Sequence, residues 1–250
     1  MSIKTLLKEF LVAEDFKRSR KLARLRAPLV AEVKQAVAAF LRGDEALDGF
    51  ARAIEKAVEA TGEVDGAEQT IFGFGGPGTS FFIDALLQHA QGQRLEAELR
   101  RGLVGVDPAD PAEKLRSFAA FVARTAREAG VVPDSNLHVG YATCFLSFCW
   151  HALYDLEVPV FYGTSHKAVK SLVSKGEVEE PEYGSRDLGE RFRAFIRVSR
   201  GVRDLFLRVN AQLNYWTVDA FFEWYALRAD EAALRQPDFQ SQRIHAAAAE

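Results

Sequence analysis

The segment Phe16-Lys17-Arg18-Ser19-Arg20-Lys21-Leu22-Ala23-Arg24-Leu25-Arg26 places six cations in the ten residues from Lys17. On a helix, Lys17, Arg20, Lys21 and Arg24 form one stripe, set against a face made by Leu22, Leu25 and Leu29, and Arg18 lies in the same run. A cationic stripe held by an apolar back can track the phosphates of a nucleic acid or another polyanion, because each phosphate it neutralises releases a counterion. The competing reading is a solvated charged face. A second group, Arg193, Arg197 and Arg200, stands at i, i+4 and i+7 of a later helical segment. Ion pairing with the acidic stretch from Glu177 to Glu182 competes with any external partner there.

The run Gly73-Phe74-Gly75-Gly76-Pro77-Gly78-Thr79-Ser80 offers different chemistry. Backbone N–H groups of Gly75, Gly76 and Gly78, with the Thr79 and Ser80 hydroxyls, could cradle an anion ahead of a helix. A P-loop would need a lysine directly before its Ser/Thr, and Gly78 holds that place. The spacing also fits Gly-x-Gly-x-x-Gly, but Pro77 lacks an N–H and no βαβ unit surrounds it. The alternative is a tight turn with Phe72, Phe74 and Phe81 in the core.

Ser147, His151 and Asp155 follow one another at four-residue steps. Catalytic triads draw their members from separate segments, so a buried structural histidine is the better reading. Cys144, Cys149, His151 and His138 do not match zinc-ligand spacing. No catalytic residue, metal or cofactor is expected. The aromatics from Tyr215 to Tyr225 recur at helical spacing, which favours a core face over base stacking.

These side chains sit in a chain whose periodicity is helical almost throughout. Helices are predicted over residues 3–60 with a break at Gly43, from Thr79 or Ser80, over 94–103, from Pro111 to about 128, over 141–154, from about 164 to 174, and over about 187–209 and 215–229. Residues 62–68 read as a loop, and only short stretches near 71–74 and 158–162 have strand character. The expected fold is therefore mainly α: one multi-helix domain over 1–235 with a minor strand pair, followed by a polar, alanine-rich tail over 236–250.

The 250 residues are 48% hydrophobic and 27% charged, with a formal charge of −3. This argues against wholesale disorder and a uniformly basic surface. Two cysteines exclude a disulfide framework, and on a helix they would point about 140° apart, at ~100° per residue. The longest nearly apolar run, Tyr141 to Tyr154, falls short of the roughly 20 residues a membrane span needs. The expected location is the cytoplasm, with no membrane partner.

Three segments together resemble a known group: Phe72 to Phe82; Tyr141 to Phe148 followed by Val158 to Ser165; and Leu213 to Tyr225. In that order they are similar to the helical amino-terminal regions of prokaryotic McrB-like and Mrr-like restriction proteins. The resemblance implies a recognition module in a restriction or anti-phage defence system, partnered by a nuclease or an AAA+ motor. The Walker lysine and a nuclease Asp…Glu-x-Lys pattern are missing, so no activity carries over. The leading expectation is a non-enzymatic module binding DNA or a related polyanion. Two alternatives stand beside it: a protein-interaction or oligomerisation adaptor docking through the Trp216–Tyr225 helix, and a small-molecule or nucleotide sensor at the glycine-rich loop.

Overall fold

The computed structural model describes residues 2–72, 80–131, 137–155, 157–208 and 214–234. Among them are ten α-helices: α1 (Ile3–Val12), α2 (Glu14–Arg42), α3 (Leu47–Glu59), α4 (Ser80–His89), α5 (Gly92–Leu103), α6 (Ala112–Glu128), α7 (Val139–Leu153), α8 (Gly163–Ser174), α9 (Leu188–Leu207) and α10 (Tyr215–Leu234). The mainly helical expectation holds, and the helix limits follow the sequence signals closely. Gly43 ends α2 in the left-handed region at φ 87°, a conformation that costs a residue without Cβ little. Asp187 caps α9 by accepting from the Glu190 N–H.

The strand pair lies elsewhere than expected. Residues 62–68, read as a loop, form most of an antiparallel hairpin, β1 (Thr61–Val64) and β2 (Ala67–Thr70). Asp65 and Gly66 make its turn, both at positive φ, the geometry that matches hairpin twist and favours Asp-Gly. The strands are four residues each and mostly polar, so the alternation that marks a half-buried strand is too short to register. Residues 158–162 form no regular element and pair with no strand among the described residues; Tyr162, at the start of α8, has extended backbone.

Helix α7 lies at the centre, buried at every position from Ala142 to Ala152, which explains its unbroken apolar character. Around it pack α2, α5 and α6. The Trp150 indole N–H donates to the Gly102 carbonyl at 3.1 Å, and Phe118 of α6 lies against Phe145. Helix α10 closes the other side against α8 and α2. Phe10 of α1 is inserted among Phe206, Phe221 and Trp224, with ring centroids 5.6–6.0 Å away. Leu6 and Phe10 of α1 and Phe221 and Trp224 of α10 thus belong to the same continuous core. Cys144 and Cys149 are both buried, and neither is in a disulfide. Among the described residues no helix is long and apolar enough to cross a membrane.

One buried hydroxyl fixes the segment 158–162 to α7. Ser147 Oγ donates to the Cys144 carbonyl at 3.0 Å and accepts from the Phe161 N–H at 2.9 Å. Ser147→Ala leaves the Phe161 N–H unpaired in the interior. It should cost about 1–3 kcal/mol, read as a shift in the urea midpoint.

Candidate anion-binding surface

Helix α2 carries the cationic run on the side turned away from the core. Its buried positions are Phe16, Ser19, Arg26, Val30, Val33, Val37 and Phe40. Lys17, Arg18, Arg20, Lys21 and Arg24 are all exposed. The leucine face assigned from sequence is displaced by part of a turn. Leu22, Leu25 and Leu29 are only half-buried, and Leu25 reaches Gly62 of the hairpin, where an added Cβ would come within 3.2 Å of it.

Acids stand beside part of the stripe. Lys17 pairs with Glu14 at 2.6 Å. Lys21 pairs with Asp65 in the hairpin turn, and Arg18 donates to Gln69 Oε1. All of these contacts are exposed, and such ion pairs contribute about 0–1 kcal/mol, so they exchange readily for an external anion. Arg20 and Arg24, one turn apart, have no acidic partner among the described residues.

The second arginine group is engaged within the fold. Arg193 pairs with Asp110 at 2.9 Å. Arg197 binds both Glu180 and Glu182 at 2.7 Å, and their hydrogen bonds and charges hold its guanidinium protonated more firmly than usual. Arg200 donates to the Pro108 carbonyl at 3.1 Å. The acidic stretch after α8 thus supplies the intramolecular pairing for Arg197.

Of the glycine-loop candidates, Gly75, Gly76, Gly78 and Thr79 lie outside the described residues. Ser80 opens α4. The Ser147, His151 and Asp155 series does not assemble into a site. Ser147 is occupied as above, Asp155 pairs with Lys34 at the surface, and His151 Nδ1 donates to the Val158 carbonyl at 2.6 Å. His151 is the buried structural histidine expected from the sequence. No group of three or more His, Cys, Asp or Glu side chains is placed to hold a metal among the described residues. The α10 aromatics do not form a docking face. Trp216, Phe221, Phe222, Trp224 and Tyr225 are buried, because their three- and four-residue spacing turns them onto α8, α2 and the core.

A polar layer behind the basic stripe escaped the sequence reading. Arg26 is 5% exposed. Its Nε donates to the Ile71 carbonyl at 2.8 Å. Its guanidinium carbon lies 4.5 Å from the Trp216 ring centroid and 5.9 Å from that of Phe72. Asp219, partly buried on α10, accepts from Ser165 Oγ. Burial pushes its carboxyl up to about 7, while the Arg26 charge and the Ser165 hydrogen bond pull the other way. Burial, followed by the nearby Asp219 charge, raises the Tyr162 phenol well above its ordinary value. Deeper in, His151 stands edge-on to Trp216 at 4.3 Å. Its Nε2 and the Ser199 hydroxyl are buried without a hydrogen-bond partner among the described residues, beside a void with about 10 Å³ of room for a water centre. Burial lowers the imidazole to about 4, against the Val158 hydrogen bond, so the ring is neutral near pH 7.

On the solvent side of Arg26, a groove of about 240 Å³ runs between α2, β2 and α10. Comparison with family models, curated proteins and solved structures gives no match to this chain.

Proposed function

We propose that this chain is a non-enzymatic recognition module that binds DNA or a related polyanion along the exposed face of α2, in the restriction or defence setting its sequence resemblance implies. The observation that carries this reading is the pair Arg20 and Arg24. They project from the rigid first half of α2 with no acidic partner among the described residues, and Lys17, Arg18 and Lys21 flank them with exposed, exchangeable contacts. A helix whose opposite face is locked into the core presents its charges without further ordering cost, which favours backbone contact. On α9, Arg193 and Arg197 pair with internal acids and Arg200 with a backbone carbonyl, which makes this group secondary to α2.

Fluorescence anisotropy with labelled duplex DNA tests this. With about four phosphate contacts, affinity should fall roughly a hundredfold between ~50 and ~200 mM salt. Arg20→Glu with Arg24→Glu should weaken binding about tenfold or more and flatten the salt dependence. An unchanged affinity in that double variant, or no binding at low salt, overturns the assignment.

A further inference from the structure

The groove beside Arg26 has properties the exposed stripe does not share. Its floor and walls include Arg26, Gln69, Arg18 and Ser19, with Trp224 and Leu22 as apolar sides and Asp15 and Glu223 also lining it. Two hydrogen-bond donors there are available to a ligand. Arg26 makes one hydrogen bond within the protein, from Nε to the Ile71 carbonyl, and its Nη groups are open to solvent on the groove side. Gln69 Nε2 is buried without a partner, while its Oε1 accepts from Arg18. Asp219 lies near enough to feel the Arg26 charge, but its hydrogen bond is to Ser165 and not to the guanidinium.

We propose that this groove binds a small molecule through a single carboxylate or phosphate head, with Arg26 Nη and Gln69 Nε2 as donors to the anion. The planar guanidinium fork suits both heads in the same bidentate manner. Stacking on Trp216 holds its plane in place before the ligand arrives. The body of the ligand lies along Trp224 and Leu22. Asp15 and Glu223 offset the two arginines of the groove, which disfavours a run of phosphates more than a single anionic head. The site therefore does not rest on polyanion binding by the outer stripe.

The test is an NMR titration of the full chain, following the Arg26 Nε–H and Gln69 side-chain amide signals. The probes are inorganic phosphate and acetate, with chloride at matched ionic strength as control. Minimal heads of this kind bind in the millimolar range. Saturable shifts at both residues with phosphate alone assign a phosphate head, with acetate alone a carboxylate, and with both a site that accepts either. Gln69→Leu, outside the core, should weaken the Arg26 response about tenfold, the worth of one hydrogen bond to a charged group. Arg26→Lys, which keeps the charge and loses the fork, should do at least the same to the Gln69 response. The Arg20→Glu, Arg24→Glu protein should retain both responses, which separates this site from the outer surface. Shifts that do not saturate, that chloride reproduces, or that Gln69→Leu leaves unchanged overturn the proposal.

Discussion

Arg26→Ala should destabilise the fold by about 3–5 kcal/mol, and Arg26→Met should recover most of that loss. Alanine removes the donor to the Ile71 carbonyl, leaves a cavity between α2 and α10, and strips Trp216 of its cationic face. Methionine also abandons the hydrogen bond. Yet it fills the space against Trp216 and Phe72 and no longer carries a charge that must be desolvated. Urea unfolding followed by circular dichroism measures both. If alanine costs less than about 1 kcal/mol, the charge is better hydrated than its 5% exposure indicates. If methionine comes close to the wild type, an apolar residue serves stability at this position nearly as well as arginine. That outcome accords with a binding role for the guanidinium.

Asp219→Asn is expected to expose a pH dependence that the wild-type protein conceals. His151 is neutral in the native state down to about pH 4, whereas in the unfolded chain it takes up a proton below about 6.5. Stability contributed by the neutral ring is therefore lost as pH falls from 6.5 toward 4. The difference of about 2.5 pH units corresponds to about 3 kcal/mol. Asp219 works in the opposite sense. Its native carboxyl holds a proton up to about 7, while the unfolded carboxyl releases it above about 3.9. Its contribution is complete below the unfolded value and is lost as pH rises through the native one. Across about pH 4–6.5 the two slopes oppose each other and largely cancel. Asparagine can still accept from Ser165 but does not titrate, so the His151 slope stands alone. Urea midpoints at about pH 7 and pH 4.5 should move little in the wild type and fall by about 2–3 kcal/mol in the variant. Other carboxylates titrate identically in both proteins. Parallel profiles would mean that Asp219 is ionised in the native state.

The helices were legible because their signals are local. Gly43 stops α2, Pro111 precedes α6, and the apolar run of α7 matches its burial on all sides. The hairpin was less legible, although Asp65-Gly66 carries the turn signal, because its strands present almost no buried residues. The cations of α2 were visible as a group, but their division was not. Ser19, Arg26, Val33 and Phe40 recur every seven residues and all are buried. That row could have marked Arg26 as the one cation on the core side. The three leucines drew the apolar face toward themselves instead, since they are more hydrophobic than Ser19 and Arg26. Asp219 could have been noticed as the acid within an aromatic helix. Its pairing with Ser165 and its nearness to Arg26 depend on long-range packing that no local pattern encodes.

The packing of α2 against α10 also sets an order of events during synthesis. Trp216, which covers Arg26, follows it by 190 positions in the chain. At about 5–20 residues per second, the ribosome takes roughly 10–40 s to supply that partner. Over this interval the inner face of α2 has only α1, α3, the hairpin and α7 to lean on, and Phe10 waits for Phe221 and Trp224. Helix α10, which emerges late, completes the lining around a cation on one of the earliest helices. Chaperone contact with the nascent chain should accordingly persist until α10 has left the exit tunnel.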